Sequence, residues 1–106
     1  MARRLEPRDL SRVRWLSDVQ VTPDGGRIAC VETRLDDAAD GLRSRILVLD
    51  ASDGRVLGSS GDAGSADHTP RWSPDGGRLA FIAIRGGPGQ AWLAEAQGHQ
   101  EHPIPD

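Results

Sequence analysis

The chain has 106 residues, one small domain's worth, and its 13 Arg against 12 Asp and 4 Glu leave a formal net charge of −3. That mild acidity gives no electrostatic reason for nucleic acid or an anionic membrane as partner. No apolar run approaches the roughly 18 residues of a membrane span, and the single cysteine excludes an internal disulfide framework and leaves no pair for a zinc knuckle. Leu, Ile, Val and Phe number 22, enough for a modest core, and 13 Gly with 7 Pro suit a protein of many turns. Lys, Asn and Tyr are absent and every basic residue is Arg, a skew that reads as a GC-rich genome rather than an arginine-dependent function.

Taken in chain order, Met1 to Leu10 carries charge with no apolar stretch behind it, so it reads as no secretory signal, and the default expectation is a soluble cytoplasmic chain. Pro7, Asp9, Leu10 and Val13 predict a short helix near residues 7–14, with Pro in the first turn and Asp at the positive dipole end. Thr22-Pro-Asp-Gly-Gly26 follows. Pro fixes φ for the second position of a type I turn, Asp tolerates the third, and Gly supplies the positive φ needed next, so the segment predicts a hairpin with a G1 bulge. Residues 27–33 read as a strand, Leu35 to Ser44 as a variable loop, Ile46–Leu49 as a second apolar strand, and Ser52-Asp-Gly54 as a turn into Arg55-Val-Leu57. The small and polar residues from Asp62 to Asp67 read as a linker.

The pattern then starts again. Thr22 to Val31 recurs as Ser73 to Ile82, an offset of 51, with six of ten positions identical. Arg78 to Ile84 is continuously apolar after its first residue and predicts a strand buried on both faces. Arg85 to Gln90 is its variable loop, and Gln90-Ala-Trp-Leu-Ala-Glu-Ala96 is the counterpart of Arg45-Ile-Leu-Val-Leu-Asp-Ala51. A repeated four-stranded antiparallel unit of this size is a β-propeller blade. The predicted fold class is all-β: a helical lead over 1–14, then a partial β-propeller over 15–106 of two blades, about 15–60 and 68–106.

At Trp72-Ser-Pro-Asp-Gly-Gly-Arg-Leu-Ala-Phe81 the chain resembles the Trp-Ser-Pro-Asp-Gly propeller repeat. Tol-type propellers and the N-terminal propellers of the prolyl oligopeptidase family both carry it. The short helical lead, Leu16 to Gly25 and Gln90 to Gly98 resemble the acylaminoacyl-peptidase and dipeptidyl-aminopeptidase-like branch of that family. The resemblance implies a propeller that limits access of short peptides to a C-terminal α/β-hydrolase domain. Remaining blades and that domain would be its partners, with self-association the other possibility. A Tol-type or other binding module is the alternative. Two blades stand here against the family's seven or eight, and no G-x-S-x-G elbow occurs. Gly58-Ser-Ser-Gly61 has the wrong spacing, so the family's catalytic residues map to no position.

Other chemistry-bearing residues read as structural. His99 and His102 have short spacing on a presumed edge strand without a third ligand, and His68 stands apart. Cys30 occupies the place of Phe81 and reads as a buried apolar residue. Asp36, Asp37 and Asp40 lack the ligand alternation and central Gly of a calcium loop. Asp24 and Asp75 mark turns, and among Trp15, Trp72 and Trp92 the latter two read as blade packing. No catalytic, cofactor-binding or metal residue is expected, and no nucleotide loop is present.

Overall fold

The structure is a computed structural model that describes residues 14–36, 41–61, 65–95 and 101–103. The first sheet contains β1 (Arg14–Val21), β2 (Arg27–Asp36), β3 (Gly41–Asp50) and β4 (Val56–Ser59). The second contains β5 (His68–Trp72), β6 (Arg78–Ala83), β7 (Gln90–Glu95) and β8 (Glu101–Pro103). Both are four-stranded, antiparallel and arranged in chain order. The expected blades are therefore present as two meanders. The expected helix at 7–14 lies outside the described residues apart from Arg14, which opens β1.

The two Pro-Asp-Gly-Gly turns have one construction. In the first, Gly25 N–H donates to Thr22 C=O (2.9 Å) and Gly25 has φ 75°. The Thr22 hydroxyl donates to Asp24 Oδ1 (2.6 Å) and accepts from Arg27 N–H (3.1 Å), while Gly26 N–H donates to the same carboxylate oxygen (2.9 Å). Ser73, Asp75, Gly77 and Arg78 repeat these three bonds at 2.6, 2.9 and 3.0 Å, and Gly76 has φ 74°. An L side chain at that φ is strained, so Gly is required there. The other predicted turn is also present, closed by Gly54 N–H to Asp50 C=O at 2.8 Å.

Directly opposed residues of an antiparallel pair share a face. Ala29 opposes Val48 and Val31 opposes Ile46 in the first sheet; Leu79 opposes Ala94 and Phe81 opposes Trp92 in the second. These two inner faces meet. Ala29, Val31, Ile46, Leu79, Phe81 and Ala83 form the buried core, with Val48, Trp72, Trp92 and Ala94 packed against it. Burial of one large side chain such as Phe81 contributes about 1.5–3 kcal/mol, so neither sheet has a comparable core without the other.

Two expectations need correction. Arg78 to Ile84 is not buried on both faces: Leu79, Phe81 and Ala83 are buried, Ala80 and Ile82 are half-buried, and Ile84 is exposed. The described second sheet has a packed neighbour on one side only, which restores the period-2 alternation of a strand. The first variable loop is also shorter than Leu35 to Ser44. Leu35↔Leu42 and Asp36↔Gly41 are ladder pairs, because the β2–β3 hairpin keeps its register to the end.

Candidate functional site: the seam between the blades

The densest polar construction is a buried seam where the linker meets both sheets. Asp67 is 0% exposed, and Arg85, whose side chain is 23% exposed, faces it. Arg85 Nη2 donates to Asp67 Oδ2 at 3.0 Å and Nε to Oδ1 at 3.4 Å. The Ser60 hydroxyl also donates to Oδ2, at 2.5 Å, and its oxygen accepts from Ile46 N–H at 2.9 Å. The Asp67 backbone is tied to Ser44: its N–H donates to Ser44 C=O (3.0 Å), and its C=O accepts from the Ser44 hydroxyl (2.7 Å). Ala66 N–H donates to Ile84 C=O at 2.9 Å. The linker is thus bonded to both blades, and the buried carboxylate has the partners that a buried charge requires.

Backbone shape and an aromatic support complete it. Gly61 has φ 68°, and a Cβ there would stand 2.6 Å from Ser65 Oγ and 2.7 Å from Asp67 Oδ2. The Arg85 guanidinium lies 4.1 Å from the Trp92 ring centroid and 5.9 Å from that of Phe81, so a cation–π contact orients it. Two more links cross the blades near β1. Trp72 Nε1 donates to Gln20 C=O at 2.9 Å, and Arg71 Nη1 reaches both Asp18 oxygens at 3.0 Å. The bond from Arg71, then that from Gln20, holds the Asp18 carboxyl below the usual carboxylate range. Asp18 (φ 49°) and Thr69 (φ 58°) stand at matching repeat positions, each inside a register shift of the first strand of its blade. The bulge re-aims the following residues, Gln20 in one blade and Arg71 in the other, toward the seam.

The residues singled out from the sequence fall as follows. Trp72 and Trp92 pack between the blades, whereas Trp15 is 43% exposed on β1. Asp24 and Asp75 are turn residues; hydroxyl bonds from Thr22 and Ser73, then the Gly26 and Gly77 amides, lower their pKa. Cys30 is buried, and desolvation followed by the Glu32 charge pushes its thiol upward, away from a reactive thiolate. His68 Nδ1 bonds the Thr69 hydroxyl at 2.7 Å. His102 lies on the edge strand β8, and Asp36 ends β2. His99, Asp37 and Asp40 lie outside the described residues. Among the described residues no group of three His, Cys, Asp or Glu is placed to hold a metal, and no helix is long and apolar enough to cross a membrane. Asp67 and Arg85 were missed, one read as linker and the other as loop. Their only signal was an acid just before the first strand and a base just after the second strand of one unit.

A cavity of about 30 Å³, room enough for a water, remains between Ile46, Val48, Trp72 and Phe81. A wider cleft of about 310 Å³ opens beside Arg85, Pro88, Gln90 and Trp92; its charged side chain, Arg85, is engaged by Asp67. Ser60 is the hydroxyl bonded to the Asp67 carboxylate, and it donates directly to it with no imidazole between them. The chemistry of this arrangement is anchoring.

No family model matches the chain. It is 33% identical over 100 residues to the uncharacterized peptidase YuxL of Bacillus subtilis (strain 168), a match covering 92% of this chain and 15% of that protein. Among solved structures it is similar to the acylaminoacyl peptidase of Pyrococcus horikoshii, with TM-score 0.74 and 23% identity over 91% of this chain and 14% of that one. The β-propeller domain of the trilobed protease from Pyrococcus furiosus matches with TM-score 0.64 and 20% identity, over 89% of this chain and 28% of that one. The structural matches carry the fold and the YuxL match carries the kinship. The chain has a peptidase relative, of whose length it spans about 15%, and it has the fold of a β-propeller portion.

Proposed function

We propose that these two blades are a non-catalytic portion of a serine peptidase propeller, one that limits which substrates reach an α/β-hydrolase domain carried elsewhere in the protein. The observation that carries this reading is the 33% identity to a peptidase along 92% of the chain, which favours it over a free-standing Tol-type binding module. The site chemistry supports it. A serine nucleophile needs a positioned base and oxyanion donors. Ser60 instead spends its proton on a carboxylate that Arg85 already neutralises, and its oxygen on the Ile46 amide. A wall that admits only short peptides must resist opening between blades, and the buried seam supplies that resistance. The partners are the remaining blades and the hydrolase domain, the substrates are peptides, and the compartment is the cytoplasm.

Two measurements test this. The purified chain, given an acyl-peptide and an aminoacyl p-nitroanilide, is expected to show no turnover; turnover that disappears in Ser60→Ala would overturn its non-catalytic status. In a peptidase that carries these blades, Asp67→Ala should raise cleavage of a long peptide relative to a dipeptide. An unchanged ratio contradicts gating.

A further inference from the structure

We infer that Arg71 is a carboxylate-binding residue on the edge where the blades converge, its guanidinium held on one side by Asp18 and open on the other to a carboxylate of a peptide. The site comes from the chain's own geometry; that the carboxylate belongs to a peptide substrate rests on the peptidase reading. β1 and β5 are the edge strands that open the two sheets, and they run beside one another, so the blades converge on them. In a propeller the strands at that converging edge line the central channel. Each carries a non-glycine residue at positive φ, Asp18 and Thr69, at the same place in the repeat. Backbone strain of this kind clusters at functional sites.

The guanidinium is fixed through one nitrogen. Arg71 Nη1 donates to Asp18 Oδ1 and Oδ2, each at 3.0 Å, and to Pro70 C=O at 2.6 Å. Among the described residues nothing accepts from Nε or Nη2, and the side chain is 54% exposed. Those two nitrogens lie on one edge of the planar group and match the two oxygens of a carboxylate. Anchoring through Nη1 orients that edge before a ligand arrives, which lowers the cost of binding. Asp18 also accepts from Gln20 Nε2 at 2.8 Å, so the anchor is itself held in place. A neighbouring blade does not enclose this position. Gln20 stands at the matching place in the first blade, and with the second blade bonded to its C=O through Trp72 it is still only half-buried. Because Asp18 already balances the guanidinium charge, the second carboxylate is held mainly by the two hydrogen bonds, and binding is weak.

Nuclear magnetic resonance of the arginine Nε–H groups in the full chain tests this with defined probes. Acetyl-trialanine amide has no carboxylate, acetyl-trialanine free acid has one at its C-terminus, and acetyl-Ala-Glu-Ala amide has one on a side chain. The Arg71 signal should shift saturably with a carboxylate-bearing probe and stay in place with the first amide. A shift with the free acid alone assigns the C-terminus, one with the glutamyl peptide alone assigns an acidic side chain, and shifts with both assign either source. Arg71→Lys keeps the charge and loses the fork, so the probe-induced shift of the Gln20 side-chain amide should be lost; an undiminished shift overturns the fork. Arg55, whose side chain is 68% exposed on the β3–β4 turn, is the internal control. No shift at Arg71 with either carboxylate, or an equal shift at Arg55, overturns the site and leaves the peptidase reading standing.

Discussion

The two blades agree in their first hairpins and part company in their second. Thr22–Arg27 and Ser73–Arg78 share hydroxyl, carboxylate and glycine geometry to within a tenth of an ångström. In the first blade β2 and β3 then run as ten-residue strands, whereas β6 and β7 have six residues each. The second blade's ladder stops at Ala83↔Gln90, and the chain beyond it places Arg85 over Trp92 and against Asp67. The repeated hairpin is a local device that each copy needs for itself. The shortened one is where a copy gives up ladder bonds to hold its neighbour.

Removing the seam's charge pair should break the comparison most severely. Asp67→Ala and Arg85→Ala should each destabilise the chain by about 3–5 kcal/mol in urea unfolding, since either substitution disrupts a buried ion pair. Gly61→Ala is next, about 1–3 kcal/mol, because the new Cβ meets Ser65 and Asp67 at a φ that L residues resist. The turns sharpen the contrast. Gly25→Val and Gly76→Val both force a branched residue to positive φ, and each should cost more than about 1 kcal/mol in thermal unfolding. The two costs should be alike and set by φ, since a Cβ at Gly76 would meet Pro23 and Thr22 of the other blade at an ordinary contact distance of 3.5 Å and one at Gly25 meets nothing within 4 Å.

Smaller still, Ser73→Ala should lose about 0.5–1.5 kcal/mol and Thr22→Ala somewhat more, because the lost bonds are the same but Thr22 is buried and also loses its methyl. The smallest effect is on pH. Asp18, Asp24, Asp50 and Asp75 all have lowered pKa values. A depressed carboxyl stabilises the fold above its unfolded pKa, and that contribution is lost as pH falls through the folded one. Stability should therefore hold from neutrality to about pH 5 and decline below about pH 4, measured as the urea midpoint against pH.

What was legible in the sequence was what is local. Pro23, Gly25 and their copies determine turn geometry within six residues, and the apolar runs around them determine the strands. Asp67 was not legible because its neighbours are small and polar, the composition of a linker; its burial comes from Ser44 and Ser60 folding over it. The bulges at Asp18 and Thr69 have no composition in common, so their shared φ appears only in the structure. The reading of Arg78 to Ile84 as buried on both faces treated an apolar run as evidence for two neighbours where the described fold supplies one. Arg34 and Arg85 are the same residue at matching repeat positions, and nothing short of the folded hairpins distinguishes the one paired within β2 from the one that forms the seam.

The central claim is that the seam makes two blades into one folding unit, and native-state hydrogen exchange across a urea series tests it directly. The amides of Ile46 in β3 and Phe81 in β6 should open with the same free energy and the same urea dependence in the wild-type chain. Asp67→Ala should lower both together. Exchange of the two sheets at separate free energies in the wild-type protein would show that the blades fold independently and would contradict the claim.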